Sequence, residues 1–495
     1  MPGAHSFFLK MRQNMCSNAG SPALKSSGLE ISLPWKRFSL SLALTLIILL
    51  LLALPVAAQE DDPPGPTYLV QPGDTLSSIA LRFDIAVAEL ISANELDNPD
   101  ALNVGDALVL PGIDWIEGTL ILEEVQLGDS YLGLRRKYQL DEGSFERLNR
   151  ISSPNQLYYG FSTLLASERG ENAASARAAL APGQSLLELA LAAGENPWSL
   201  VSQNQLGGSW EALPGDVLFT PRSDAAGPSG LPSAVQDVDI EDPGFVTGKT
   251  TVIRVQADED LALGGDLIQR DLQFFSEADG LWVALQGIAL SSGAGNYSFT
   301  LSGQADGAAF ANQQVIRVAG GNYGRETLTV DENLLDPELT DLELERVRAL
   351  ASEASPEKLW NGYWGAPHPY IDVINSEFGI ARSYNQGSYF GFHYGVDFGG
   401  GVGIEIWAPA PGRVVFADLV ELRGNLTVID HGWGIYSMYA HQSEILVAVG
   451  DEVVTGQLIG RVGNTGRSSG AHLHWEVWAN GVAVEPMDWI NRVFP

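Results

Sequence analysis

The sequence predicts a multidomain, β-rich α+β chain, and three observations carry that expectation. A unit recurs with a period of 55 residues, visible at Gly73, Gly128 and Gly183, at Asn94, Asn149 and Asn204, and at Gly105, Gly160 and Gly215. Three anchors kept over three copies make a tandem array of one small module. From about Pro243 to Val330, short alternating apolar runs follow one another without a helical period, which is the mark of a β-sandwich. Five of the seven histidines fall between His393 and His474, in a glycine- and aromatic-rich stretch suited to loops and strands. At 495 residues the chain exceeds what one core organises.

Residues 1–58 read as a signal peptide or a membrane anchor. Lys36-Arg37 precede an uncharged run from Phe38 to Ala58, followed by Gln59-Glu60-Asp61-Asp62. A basic flank ahead of such a run directs export, with the basic end left inside. The small residues before Gln59 offer cleavage after Ala58; left uncut, the run is long enough to anchor, since about 20 apolar residues span a bilayer. Membrane contact is therefore expected only through residues 38–58 and only if uncleaved, and the remainder is expected to be secreted or held in the cell envelope. The net charge of −33 argues against nucleic acid as a partner and against adhesion to anionic lipid. The single cysteine, Cys16, lies in the leader, so internal disulfides and cysteine-rich zinc fingers are excluded.

The three copies occupy 67–112, 122–167 and 177–222. In the first, Leu76, Ile79, Ala80 and Phe83 mark a helix face, and apolar alternation flanks the unit, giving strand, turn, two short helices, strand. Its opening Tyr68-Leu69-Val70-Gln71-Pro72-Gly73-Asp74-Thr75-Leu76 and its closing Leu108-Val109-Leu110-Pro111 closely resemble a LysM module. That resemblance implies a βααβ fold and binding to N-acetylglucosamine-containing glycans such as peptidoglycan, with Gly73, Asp74, Thr75 and Asn98 as candidate glycan-binding residues. Copies two and three keep the skeleton but drift: Tyr131 stands where copy one has Leu76, Gln184 where it has Asp74, and Ala166 where it has Pro111. They are either further sugar-binding modules or spacers.

Residues 223–240, rich in Ser, Gly, Pro and Ala up to Ala234, read as a linker. In the sandwich, 243–330, strands are expected at 251–255, 272–275, 281–285, 297–301 and 315–318, with a hairpin turn at Asp279-Gly280. A linker helix is expected within 336–355, with Asp336 as N-cap, Pro337 at the first helical position, and an apolar face of Leu339, Leu342, Val347 and Leu350 packed on a neighbouring domain.

The histidines of the last domain, 361–495, form an ordered set: His393-x3-Asp397, His441, and His472-x-His474. Zinc takes about four tetrahedral ligands at roughly 2.0 to 2.2 Å, and a hydrolytic site leaves one position to water. In the stretch 471–478, period two puts Leu473, Trp475 and Val477 on one face and His472 and His474 on the other, roughly 6.6 Å apart at Cα. One ring can then bind a metal while the other reaches a water on it. In a straight strand His393 and Asp397 would be roughly 13 Å apart, so the chain must bend between them, and the glycines of 390–401 permit it.

From about Ser376 to Pro486 the chain resembles the lysostaphin/LytM-type zinc metallopeptidases, which are peptidoglycan endopeptidases. The motifs that carry the resemblance are Phe378-Gly379, His393-x3-Asp397, Pro411-Gly412-Arg413-Val414, Ile429-Asp430-His431-Gly432, Tyr439-Ala440-His441, Val449-Gly450-Asp451, and Gly463-Asn464-Thr465-Gly466 running on to His472-Leu473-His474. It implies an antiparallel β peptidase domain with one Zn2+ held by His393, Asp397 and His474, and with His441 and His472 as a non-liganding catalytic pair. No ligand position is missing, so an active hydrolase cutting stem or cross-bridge peptides of the cell wall is expected. The competing expectation is a catalytically silent scaffold or amidase activator. His431 is expected to be structural, and His368 has no assigned role. The stretch 449–460 also has the look of a biotinyl- or lipoyl-carrier hairpin, but no lysine follows Lys358, so no carrier activity is expected.

Overall fold

Each 55-residue copy folds as strand, helix, helix, strand. Copy one is β1 (Thr67–Leu69), α1 (Leu76–Phe83), α2 (Val87–Ala93) and β2 (Ala107–Val109). Copy two is β3 (Thr119–Glu124), α3 (Tyr131–Lys137), α4 (Glu142–Asn149) and β4 (Ser162–Ser167), and copy three is β5 (Ala176–Ala179), α5 (Leu186–Ala192), α6 (Pro197–Gln203) and β6 (Val217–Thr220). This computed structural model describes residues 65–98, 102–138, 140–167, 176–180, 183–213, 216–220, 231–232, 234–257, 261–278, 280–305, 308–329, 335–387 and 389–495. The leader, 1–58, and the turn residue Asp279 lie outside them.

The repeat anchors have physical reasons. Gly73, Gly128 and Gly183 hold φ of +85°, +81° and +82°, a left-handed turn that an L side chain resists. Each anchor asparagine ties the end of the second helix to the last strand. Asn94 Nδ2 donates to Leu90 O and Val109 O while its Oδ1 accepts from Val109 N. Asn149 does the same with Phe145 and Leu164, and Asn204 with Leu200 and Phe219. The asparagines recur because one amide serves three backbone groups where the helix meets the last strand.

The sandwich packs a sheet of order β10-β11-β8-β7 on one of order β13-β12-β9. Its strands are β7 (Val235–Ile240), β8 (Thr250–Ala257), β9 (Ala262–Leu267), β10 (Phe275–Ala278), β11 (Leu281–Gly287), β12 (Gly295–Ala305) and β13 (Ala308–Val318). Three sequence expectations are corrected here. Residues 235–240, read as linker, pair with β8 from Val235 to Ile240. The strand expected at 272–275 instead begins at Phe275. Residues within the expected sandwich boundary at 330 leave it: β14 (Arg325–Leu328) pairs in parallel with β16 (Ala381–Tyr384) of the C-terminal domain.

Helix α7 (Pro337–Leu350) starts where expected, with the Asp336 side chain accepting from Glu338 N and Leu339 N. Its buried face differs from the expected one: Leu342 is 59 % exposed, while Glu343 is 5 % exposed beside Leu344, Val347 and Ala351. The helix turns a carboxylate inward because Leu422 N, Arg423 N and the Arg423 guanidinium receive it.

The last domain is an eight-stranded antiparallel sheet of order β15-β18-β26-β22-β21-β20-β24, with β27 on β26. The strands of this domain in chain order are β15 (Ile374–Ser376), β16 as above, β17 (Tyr389–Phe392), β18 (Val396–Gly399), β19 (Glu405–Trp407), β20 (Gly412–Val420), β21 (Gly424–Asp430), β22 (Ile435–Gln442), β23 (Glu444–Ile445), β24 (Glu452–Val453), β25 (Leu458–Arg461), β26 (His472–Ala479) and β27 (Val482–Val484), closed by α8 (Pro486–Asn491); β16 and β17 form a separate sheet with β14, and β19, β25 and β23 form another. Leu473, Trp475 and Val477 are fully buried on one face of β26, as the alternation requires. Among the described residues no helix is long and apolar enough to cross a membrane.

Candidate metal centre

Strand register assembles the site. In the sheet Asp397 of β18 lies opposite His474 of β26, and Ala440 of β22 lies opposite His474 on its other side. His441 follows Ala440 at a bulge where β22 slips against β21, and takes φ of +59°. A bulge re-aims the side chain it carries, and here it brings the His441 ring within 4.8 Å of His472 and 5.8 Å of His474, centroid to centroid. The bend required before Asp397 is the break between β17 and β18, across which His393 Nε2 stands 3.0 Å from Asp397 Oδ1.

Three ligand atoms converge. His393 Nε2, Asp397 Oδ1 and His474 Nδ1 form a triangle with edges of 3.0, 2.7 and 3.0 Å. The partners of the outer ring nitrogens fix how each ring is turned when it is neutral. His393 Nδ1 is 2.7 Å from the Glu377 carbonyl and His474 Nε2 is 2.9 Å from the Glu476 carboxylate, and both partners can only accept. Those nitrogens carry hydrogens, so each ring, when neutral, turns a bare nitrogen toward the Asp397 carboxylate oxygen. With neutral rings, three lone pairs face one point, an arrangement that suits a metal ion or, at His474, a proton. A tetrahedral ion with bonds of about 2.1 Å separates its ligand atoms by about 3.4 Å, so the triangle fits after opening by about half an ångström.

The other two histidines are directed the same way. His441 Nδ1 donates to Thr465 O at 2.8 Å and His472 Nδ1 to Gly470 O at 2.8 Å, which leaves both Nε2 atoms bare. His472 Nε2 stands 3.5 Å from Asp397 Oδ1. The five side chains line a groove of about 560 Å³ whose walls include Leu328, Leu344, Tyr384 and Arg467.

Burial works against the Asp397 carboxylate, yet the charge of His393 and the hydrogen bonds that His393, His472 and His474 would donate when protonated hold it well below the usual range. Burial lowers the pKa of His393. Burial, and then the neighbouring His474 and His472, push His441 down to about 3. His474 also loses by burial, but Asp397 and Glu476 on its two sides outweigh that and raise it. The site draws positive charge at His474, to be met by a proton or by a metal ion.

The sequence also holds residues around the ligands that motif reading passed over. Glu476 lies two residues beyond His474 on the same face of β26 and could have been found by alternation. Arg423 clamps it through Nε and Nη2 at 2.6 and 3.2 Å. Arg382 Nη2 donates to Asp397 Oδ2 at 3.1 Å, leaving Oδ1 to the histidines. His431 is buried away from this cluster, held by Pro411 O and Ser437 Oγ, and His368 stacks on Phe398.

Residues 391–486 match Peptidase family M23, and residues 68–111 match the LysM domain. The chain carries an M23 peptidase domain of the lysostaphin/LytM type and a LysM domain. The M23 domain is similar to that of peptidoglycan DD-endopeptidase ShyA of Vibrio cholerae, at 38% identity over 114 residues covering 23% of this chain and 26% of that one. It is equally similar to murein hydrolase activator EnvC of Escherichia coli, at 38% identity over 98 residues covering 20% of this chain and 23% of that one. This chain therefore spans about a quarter of the length of these curated relatives. The crystallised catalytic domain of the antimicrobial peptidase lysostaphin from Staphylococcus simulans aligns at 30% identity over 27% of this chain and 93% of that one, with a TM-score of 0.20.

In the LysM domain, three of the four candidate glycan residues sit at a turn already engaged internally. Gly73 makes the turn, Asp74 accepts from Gln71 N at 2.9 Å and Tyr68 Oη at 2.6 Å, and Thr75 caps α1. Asn98 lies exposed beyond α2. The counterpart turn of copy two is covered: Gln314 of β13 accepts from Gly128 N at 2.9 Å and donates to Asp129 O at 3.2 Å, and Leu127 enters the sandwich core.

Proposed function

We propose that the chain is an exported zinc metalloendopeptidase that hydrolyses stem or cross-bridge peptides of peptidoglycan, held on the glycan by its LysM module. The observation that carries this reading is the convergence of two bare imidazole nitrogens and one carboxylate oxygen, His393, His474 and Asp397, with two further bare imidazole nitrogens beside them. A bound zinc ion would polarise the scissile carbonyl and bring the pKa of water toward about 7. The residues do the rest. His472, at the groove edge, takes or orients the proton of the attacking water, and His441 stabilises the oxyanion side and delivers a proton to the leaving amine once the pair has gained one. The centroids of the two rings are 4.8 Å apart. Asp397 serves as an anionic ligand, the Arg382 guanidinium on its Oδ2 favouring the ionised form.

Copy one is the module we assign to glycan. In copy two the equivalent turn is taken up by Gln314, and Tyr159 N bonds Val315 O, which favours a spacer that docks the array on the sandwich. A wall-bound amidase activator is the second reading, favoured by the likeness to an activator. One experiment separates the two: zinc content of the purified chain, together with peptide release from purified peptidoglycan before and after chelation. The peptidase reading expects about one zinc per chain and release that chelation abolishes and zinc restores. Bound zinc without release would favour the activator.

A further inference from the structure

Two carboxylates from outside the M23 match reach the metal ligands through arginines. The first is Glu343 on α7. Its Oε2 accepts from Leu422 N at 2.7 Å, and its Oε1 accepts from Arg423 N at 3.1 Å and Arg423 Nη1 at 3.2 Å. The same guanidinium holds Glu476 at 2.6 and 3.2 Å, and Glu476 Oε1 stands 2.9 Å from His474 Nε2. The backbone carbonyl of Arg423 also accepts from His441 N at 2.7 Å. One buried glutamate thus fixes a two-residue segment that in turn orients a ligand and the left-handed His441.

The second carboxylate is Glu326 on β14. It accepts from Arg382 Nε at 2.5 Å and from Ser376 Oγ at 3.0 Å. Arg382 passes to Asp397 Oδ2 at 3.1 Å, and Ser376 Oγ lies 3.1 Å from His393 Nδ1. Asp397 and His393 are therefore contacted by side chains that Glu326 holds, and His474 is contacted by Glu476, which Glu343 reaches through Arg423.

We propose that β14 and α7 brace the metal centre, with Glu326 and Glu343 as positioning residues for Asp397 and His393 on one side and His474 and His441 on the other. The alternative is that the two glutamates only staple β14 and α7 to the domain. A buried ion chain is weak evidence for stability, because an apolar contact of the same shape often serves as well. What favours the brace is where both chains end: on the two flanks of one ligand triangle. Partners beyond the first ring of ligands commonly change metal affinity by about 10- to 100-fold. This inference rests on the zinc reading above.

The test uses the full chain and four proteins: wild type, E343Q, E326Q and the exposed α7 control E345Q. Zinc dissociation constants are measured by competition with a chromophoric chelator, the absorption spectrum of the cobalt-substituted protein is recorded, and melting of each metal-free form is followed. In E343Q an amide N–H would face donors, so zinc affinity is expected to fall about 10-fold, with an altered cobalt spectrum, while E345Q matches wild type. E326Q, whose side chain is 21 % exposed and so less prone to unfold the domain, is expected to weaken zinc similarly. Affinity within twofold of wild type in both glutamine variants, whatever the melting does, overturns the brace. Should E343Q fail to fold, E326Q decides by the same readout. A wild type that takes up no zinc overturns the metal reading, and the brace with it.

Discussion

Replacing His431 by glutamine should remove an acid-sensitive contribution to the stability of the M23 domain. His431 is fully buried, with Nδ1 2.7 Å from Pro411 O, Nε2 2.7 Å from Ser437 Oγ, and its ring 4.5 Å from that of Trp364. The proline carbonyl can only accept, so Nδ1 carries the hydrogen and Nε2 receives that of Ser437. The ring is built to be neutral. Burial pushes its pKa from 6.5 down to about 4, the hydrogen bond to Pro411 opposing. A base whose folded pKa is depressed contributes stability in full above its unfolded pKa and loses it as pH falls through the window from 6.5 to 4. Linkage gives a loss of about 2 kcal/mol at pH 5 and about 3 kcal/mol at pH 4. Glutamine keeps an N–H for Pro411 and a carbonyl for Ser437 without titrating. Hydrogen exchange of the β21 and β22 amides at pH 7.5 and 5, corrected for intrinsic rates, reads the opening free energy. His393 and His441 contribute to both proteins and cancel in the difference. The acid loss should be about 2 kcal/mol smaller in H431Q; equal losses in the two proteins would refute the reasoning.

Substituting His441 or His472 by alanine leaves the ligand triangle intact, so zinc stoichiometry by atomic absorption should stay at the wild-type level while turnover falls by about 10²- to 10⁴-fold. Metal loss in either variant would mean that the roles are misassigned. Deleting residues 67–112 should weaken retention on purified cell walls in a sedimentation assay, because the copy-two turn is closed by Gln314. Undiminished retention would reduce the array to a stalk.

Much of this molecule is legible in one dimension because its signals are local. A fixed repeat, a positive-φ glycine, a proline after an N-cap and a period-two strand each depend on neighbours within a few residues, and the structure has each where the pattern puts it. The expectations that failed depend on distant partners. Leu342 fits an apolar stripe on α7 and yet faces outward, since the amides and the guanidinium that donate to Glu343 come from residues 422 and 423. Residues 235–240 look like linker because their apolar content is thin, but β8 offered them an edge to pair with.

The sequence alone determined the inventory of the candidate site: which histidines, which aspartate, and in what order. Spacing restricts how rings can be presented along a strand, so the pairing of His472 with His474 needed no fold. Only the tertiary structure decided which nitrogen of each ring is bare, that Asp397 meets His474 across a strand pair, and that a bulge swings His441 inward. It also decided that Glu326 and Glu343, remote in the chain, stand behind the ligands. Hydrogen-bond direction and cross-strand register are properties of the packed chain, set by which backbone edges meet, and no local pattern encodes them.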